Sequence, residues 1–127
     1  MVDMSISHGK GVLDDLAPLG RDLRRVIPDV YKGFADLHSA ALAPGALDTR
    51  TKELMALAIG VSQRCDGCIA SHARGAVKAG ATKEEAAETI GVLFLMEGGP
   101  ATVYGPRAYA AFCEYYDAAH PDEAAAQ

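Results

Sequence analysis

The chain has 127 residues, of which 50% are hydrophobic and none is tryptophan, and it carries a formal net charge of −5. This length fits a single domain, residues 1–127, and the scattered Lys and Arg side chains exclude a nucleic-acid partner bound through its phosphates. Residues 1–10 hold no signal-like apolar run, and the longest apolar run, Leu54–Val61, is much shorter than the roughly 18 residues of a membrane span, so we expect a cytoplasmic protein with no membrane partner.

Abundant alanine and few clustered β-branched residues predict an all-α fold. Residues 1–20 are predicted to be irregular or weakly helical because glycine and proline interrupt them at four positions. A first helix is predicted from Pro28 to the break at Pro44, with apolar residues at helical spacing. Asp48 or Thr49 can then cap the next helix.

The segment Glu53–Val61 has one charged residue and no other polar side chain. A helix that is apolar on all sides is a buried helix, so this segment is predicted to lie in the core. Another helix is predicted from about Cys65 to Ala79, with Gly80 as its C-cap. Its solvent face carries Arg74 and Lys78, which leaves His72 pointing inward.

Thr82 and Glu85 form a capping box that predicts a helix through Met96. The apolar run Ile90–Met96 exceeds what one face of a small domain needs, so we expect a homo-oligomer. A last helix is predicted after the glycine-proline break at 98–100, through about Tyr116. Residues 120–127 are predicted to be a frayed tail.

Two cysteines and a histidine, Cys65, Cys68 and His72, are spaced so that they share one face of a helix. A free thiol has a pKa of about 8.5 and is mostly protonated at neutral pH, although only the thiolate attacks peroxides and disulfides. His72 lies one helical turn beyond Cys68 and can accept its proton, and the N-terminus of the helix favours a nearby anion. The spacing therefore predicts a reactive thiol.

Glu53 completes this group if the chain turns back at Ser62 or Gln63, because Glu53 and His72 are nearly equidistant from that point. A carboxylate beside an imidazole fixes the tautomer and orientation of the ring, as in catalytic triads. Residues 62–64 contain neither glycine nor proline, so a straight helix is the alternative.

A Cys-x-x-Cys pair can also provide half of a zinc site, with His72 as a third ligand. Candidate fourth ligands are Glu53 and three further histidines, His8, His38 and His120. Structural zinc sites generally use loops rather than a helix face, so thiol chemistry is favoured and no metal ligand is assigned. The third cysteine, Cys113, is expected to be a buried and inert thiol.

The motif Glu53-x11-Cys65-x2-Cys68-x3-His72, with Gly75 and residues 78–85 after it, resembles the carboxymuconolactone decarboxylase and AhpD-like alkylhydroperoxidase superfamily. The resemblance covers residues 28–116 and includes the glycine-proline break followed by Tyr104. It implies an AhpD-like helical bundle that is an obligate oligomer, as a trimer or hexamer.

The resemblance also implies roles. Cys68 would be the peroxidatic thiol, Cys65 the resolving thiol, and His72 with Glu53 the proton relay. From the residues alone the order of the two thiols stays open, because Cys65 is closer to the helix N-terminus and Cys68 is closer to His72. The AhpD peroxidases often carry a histidine before the second cysteine, where this chain has Gly67, and an aromatic residue where this chain has Arg64.

The predicted function is that of an alkylhydroperoxidase-like oxidoreductase, an antioxidant enzyme that uses a hydroperoxide and an external dithiol or thioredoxin-like reductant. No dinucleotide-binding pattern is present, and no cofactor is expected. Two alternatives stay open. One is a non-enzymatic redox or zinc-binding module, and the other is a decarboxylase-like enzyme that uses Glu53 and His72 for acid-base chemistry.

Overall fold

The computed structural model describes residues 6–126, which form seven α-helices and no strand. The helices are α1 (Lys10–Val26), α2 (Pro28–Leu42), α3 (Thr49–Ser62), α4 (Asp66–Lys78), α5 (Lys83–Glu97), α6 (Gly99–Ala119) and α7 (Pro121–Ala125). The predicted all-α fold is confirmed. None of the helices within residues 6–126 is both long and apolar enough to cross a membrane.

Local signals in the sequence set the starts of three helices. Pro28 occupies the first turn of α2, where its missing N–H costs no hydrogen bond. The Asp48 carboxylate accepts a 2.8 Å hydrogen bond from the backbone N–H of Thr51 and caps α3. The predicted capping box of Thr82 and Glu85 begins α5, with both of its hydrogen bonds made.

The core lies where α4 packs between α3 and α6, with α5 against α6. Its largest fully buried side chains are Phe112, Leu57 and Val61. Most other core positions are alanine, including Ala73, which let helix backbones approach closely. Close approach of α3 to α4 brings the predicted site residues to one interface.

The prediction that residues 1–20 are irregular or weakly helical is wrong from Lys10 onward, because α1 is one continuous helix through Pro18 and Gly20. Packing explains the difference. Leu16 of α1 lies against the backbone of Gly67 in α4, and tertiary contact of this kind outweighs local helix propensity. At the other end, part of the predicted frayed tail forms the short helix α7. Residues 1–5 and 127 lie outside the described part of the chain.

The composition of α3 predicted a helix buried on all sides, and this prediction is wrong. Glu53, Leu57, Gly60 and Val61 face the core, whereas Met55 and Ile59 on the other side are about half exposed. A second apolar surface is exposed on α5 and α6, formed by Val92, Leu95, Met96 and Val103. The expected oligomer would cover such faces, and it stays a prediction.

Candidate functional site

The helical hairpin of α3 and α4 positions the site. Gln63 ends α3, and Arg64 then adopts the left-handed region with φ of 55°, so the chain reverses without glycine or proline. The N–H of Cys65 donates a 3.0 Å hydrogen bond to the carbonyl of Gly60, which closes the turn. The predicted hairpin is therefore present, and the straight helix left open by the sequence is wrong.

Glu53 and His72 meet across this hairpin. Nδ1–H of His72 donates to Oε1 of Glu53 at 3.3 Å, because a carboxylate oxygen can only accept. The Glu53 side chain is 5% exposed and that of His72 is 21% exposed, so the contact is shielded while the ring still reaches solvent. With its proton held on Nδ1, a neutral His72 ring has Nε2 free to accept a proton.

The backbone of α4 makes room for the acid. A β-carbon on Gly75 would overlap Oε2 of Glu53, so only glycine at this position allows the carboxylate to lie against α4. Gly75 was part of the family motif in the sequence, and this contact gives its physical reason.

Cys65 and Cys68 lie at the start of α4 and are bonded to each other through their sulfurs. Cys65 is the N-cap, and its Sγ accepts a 3.2 Å hydrogen bond from the backbone N–H of Cys68. Gly60 of α3 faces Cys68, since a β-carbon on Gly60 would lie 3.2 Å from Cβ of Cys68. The sulfurs are therefore held where α3 and α4 approach closely, with Cys68 one helical turn before His72.

The structure shows what surrounds Gly67 and Arg64, the two positions that depart from the AhpD peroxidase pattern. A β-carbon on Gly67 would lie 2.9 Å from Cδ1 of Leu16, so α1 occupies the space that a larger side chain needs. Arg64 provides the left-handed turn, and its guanidinium lies 6.0 Å from the ring centroid of Tyr104.

His38 of α2 joins the site, although the sequence suggested it only as one of several zinc ligands beside the thiols. Its ring is nearly parallel to that of His72, with centroids 5.9 Å apart and an interplanar angle of 16°. His38, Glu53, Arg74 and Lys78 line an open cleft of about 360 Å³. The sequence gives no signal that α2 lies beside this cleft, because the conformation of the loop between α2 and α3 determines where α2 packs.

The other polar candidates are placed elsewhere. His120 stacks on Tyr116, with ring centroids 4.0 Å apart. His8 lines a second cleft with Tyr104 and Arg107. Cys113 of α6 is a free thiol and only half-buried, so its predicted full burial is wrong.

The profile of the carboxymuconolactone decarboxylase family matches residues 28–112. The chain belongs to this family. Proteins similar in sequence to the chain include an uncharacterized protein of Cupriavidus necator, 35% identical over 91 residues, which are 72% of this chain and 77% of that protein. Another is uncharacterized protein 4 of the cox locus of Paracoccus denitrificans, 32% identical over 114 residues, which are 90% of this chain and 96% of that protein.

Solved structures of carboxymuconolactone decarboxylase family proteins share the fold. The apo protein of Legionella pneumophila is 40% identical, with a TM-score of 0.80, over 84% of this chain and 95% of its own. A Thermotoga maritima protein with a suggested role in antioxidative response is 34% identical, with a TM-score of 0.65, over 72% of this chain and 94% of its own.

Proposed function

We propose that this member of the carboxymuconolactone decarboxylase family is a thiol-dependent peroxidase and disulfide oxidoreductase. The observation that carries the proposal is a bonded Cys65–Cys68 pair whose second cysteine lies one helical turn from an imidazole that donates to a buried carboxylate. A thiol, a base and a group that orients the base are a recurrent arrangement for nucleophilic catalysis by cysteine. The suggested antioxidative role of the Thermotoga maritima relative supports the same reading.

In the reduced protein, Nε2 of His72 accepts the proton of the Cys68 thiol, and Glu53 holds the ring through Nδ1–H. The Cys68 thiolate attacks one oxygen of a hydroperoxide and the O–O bond breaks. Sulfur is oxidised to a sulfenic acid, and the departing alkoxide takes the proton from His72 to leave as an alcohol. The hydroperoxide is thereby reduced by two electrons.

Cys65 then attacks the sulfenic sulfur of Cys68. The S–S bond forms and the hydroxyl leaves as water with the proton of the Cys65 thiol. In the reduced protein the same hydrogen bond, from the Cys68 N–H to Cys65 Sγ, would stabilise negative charge on the Cys65 sulfur as its thiol loses the proton. An external dithiol, such as a thioredoxin-like protein, returns two electrons and two protons to restore both thiols.

The proposal includes a cytosolic location, where dithiol reductants keep cysteines reduced, and a homo-oligomer of three or six chains. Exposed apolar side chains such as Leu95, 81% exposed, and Met96, 73% exposed, support the oligomer. Sedimentation of the purified protein measures its state, and a monomer at micromolar concentration contradicts this part.

The test of the chemistry is a reductant-coupled assay of hydroperoxide consumption. Cys68→Ser should abolish turnover, and Cys65→Ser should stop at a sulfenic acid on Cys68 that dimedone traps in a mass-spectrometric experiment. Cys113→Ser is the matched control and should keep the full rate. Unchanged rates in both Cys65→Ser and Cys68→Ser would show that the mechanism is wrong.

A further inference from the structure

Three side chains from three helices converge at one end of the cleft that His38 and Glu53 line, and they form a ligand set that contains no sulfur. One ligand atom each from His38 of α2, Glu53 of α3 and His72 of α4 lie within 4.8 Å of one another. We propose that these residues bind an exchangeable divalent transition-metal ion of the Zn²⁺ class. Two imidazoles and one carboxylate suit such an ion and leave a coordination position open for water.

The charge and hydrogen bonding of Glu53 favour a cation here. Its side chain is 5% exposed, and its one hydrogen-bond partner within residues 6–126 is His72, through Oε1. A buried carboxylate with a single neutral partner is costly, because the charge is poorly compensated. A divalent ion at the cleft would compensate it directly.

The geometry needs only a small closure. Ligand atoms bound tetrahedrally to zinc lie about 3.4 Å apart for bonds near 2.1 Å. Nδ1 of His72 and Oε1 of Glu53 are already 3.3 Å apart, so any contraction of the set falls on His38. Glu53 is fixed between Gly75 and His72, but His38 is exposed on α2, a helix with no buried residue. His38 is therefore the ligand that can move.

The positive charges of Arg74 and Lys78 do not exclude a metal ion from the cleft. Arg74 and Lys78 line the same cleft, and both are exposed, so their charged ends can turn into solvent. This site also differs from the zinc site weighed from the sequence, which used Cys65 and Cys68. Those sulfurs are bonded to each other and do not belong to the ligand set.

Metal binding has a consequence that rests on the proposed function. An ion bound by Glu53 and His72 would occupy the two groups that take up and orient the proton of Cys68. Bound zinc would therefore inhibit the thiol reaction, and His38 would confer that inhibition without being part of the proton relay.

The test uses the full chain with all three cysteines replaced by serine, so that thiols cannot bind the probe. Zn²⁺ titrated into this protein in a calorimeter should bind at one ion per chain. Adding His38→Ala, an exposed change that leaves the core intact, should weaken binding by at least about tenfold. His120→Ala is the matched control and should bind as before.

Absence of Zn²⁺ binding, or binding that His38→Ala leaves unchanged, would overturn the proposal. The absorption spectrum of the Co²⁺ complex gives a second readout, and His38→Ala should remove its ligand-field bands. Circular dichroism of each variant, checked before titration, separates a lost ligand from a lost fold.

A last measurement separates this inference from the proposed function. In the chain with its cysteines intact, Zn²⁺ should slow hydroperoxide consumption, and His38→Ala should show less inhibition relative to its own metal-free rate. Peroxidase activity with no zinc binding contradicts the metal site alone. Zinc binding in the cysteine-free protein with no peroxidase activity in the intact chain contradicts the proposed function alone.

Discussion

The carboxylate of Glu53 occupies the space that a β-carbon at Gly75 would need, so the acid of one helix lies directly against the backbone of the next. Its other oxygen accepts from His72, one turn earlier on the same helix. One oxygen of the Glu53 carboxylate thus lies against the Gly75 backbone, and the other accepts a hydrogen bond from the His72 ring. A substitution at Gly75 therefore tests the position of the Glu53 carboxylate.

Gly75→Ala should displace the Glu53 carboxylate and break its contact with His72. We expect a loss of stability of about 1–3 kcal/mol from overpacking, measured by urea unfolding, together with slower hydroperoxide consumption. Gly33→Ala is the control, because Gly33 has open space around it in α2 and alanine there should raise stability by up to about 1 kcal/mol. Equal effects of the two substitutions would contradict the contact.

Glu53→Gln should slow the thiol reaction without unfolding the protein. The amide oxygen can still accept from His72, but the negative charge that supports an imidazolium is lost. We expect alkylation of the reduced thiols by iodoacetamide at neutral pH to slow by about 10-fold to 100-fold. The melting temperature should hold or rise, because a buried charge is removed.

Glu88→Gln, at an exposed position of α5, is the control for Glu53→Gln and should change neither quantity. If Glu53→Gln reacted as fast as the unmodified protein, the proton relay would need another orienting group.

Gly60→Ala should push the two helices of the hairpin apart beside the thiols. Its β-carbon would lie 3.2 Å from Cβ of Cys68 and 3.4 Å from the backbone carbon of Cys68, and backbone atoms cannot rotate away. We expect a loss of about 1–3 kcal/mol of stability and slower turnover. Gly91→Ala, in open space on α5, should be neutral or stabilising. Wild-type stability in Gly60→Ala would show that the hairpin packs less tightly than described.

The N-cap of α3 should make stability depend on pH in the acid range. Hydrogen bonding by the Thr51 hydroxyl, and then by its backbone N–H, lowers the pKa of Asp48 from its ordinary value. A lowered folded-state pKa contributes stability above the unfolded value of about 4, and the contribution is lost as the pH falls through the folded value.

Asp48→Asn keeps a capping side chain but cannot titrate. Unfolding free energies measured at several pH values from 7 to 2 should therefore fall less steeply for this variant than for the unmodified protein. Parallel curves would show that Asp48 does not contribute to the acid dependence.

Much of the site could be predicted because it lies within a short stretch of sequence. Equal spacing from a turn near Gln63 predicted that Glu53 would meet His72, and an acid in an apolar helix required a partner. The turn was the uncertain step. Arg64 adopts a left-handed conformation that is uncommon for a residue with a side chain, so composition alone could not predict it.

Contacts with the outer helices could not be predicted in the same way. The helix through Pro18 depends on the packing of α1 against α4, and the position of His38 depends on how the loop after Leu42 returns α2 to α3. Such long-range packing leaves no periodic signal in one sequence. The same reason explains why Leu16 beside Gly67 was not foreseen.

All four groups of the proposed reaction, Glu53, Cys65, Cys68 and His72, come from a single pair of consecutive helices. The chain needs to close only a short loop to bring them together, so the entropy lost in assembling the chemistry is small. Assembly of the reactive groups therefore depends chiefly on the packing of α3 against α4. Changes in α2, which contributes His38 to the cleft, can alter which molecules approach, while the acid, the base and the sulfurs keep their mutual distances.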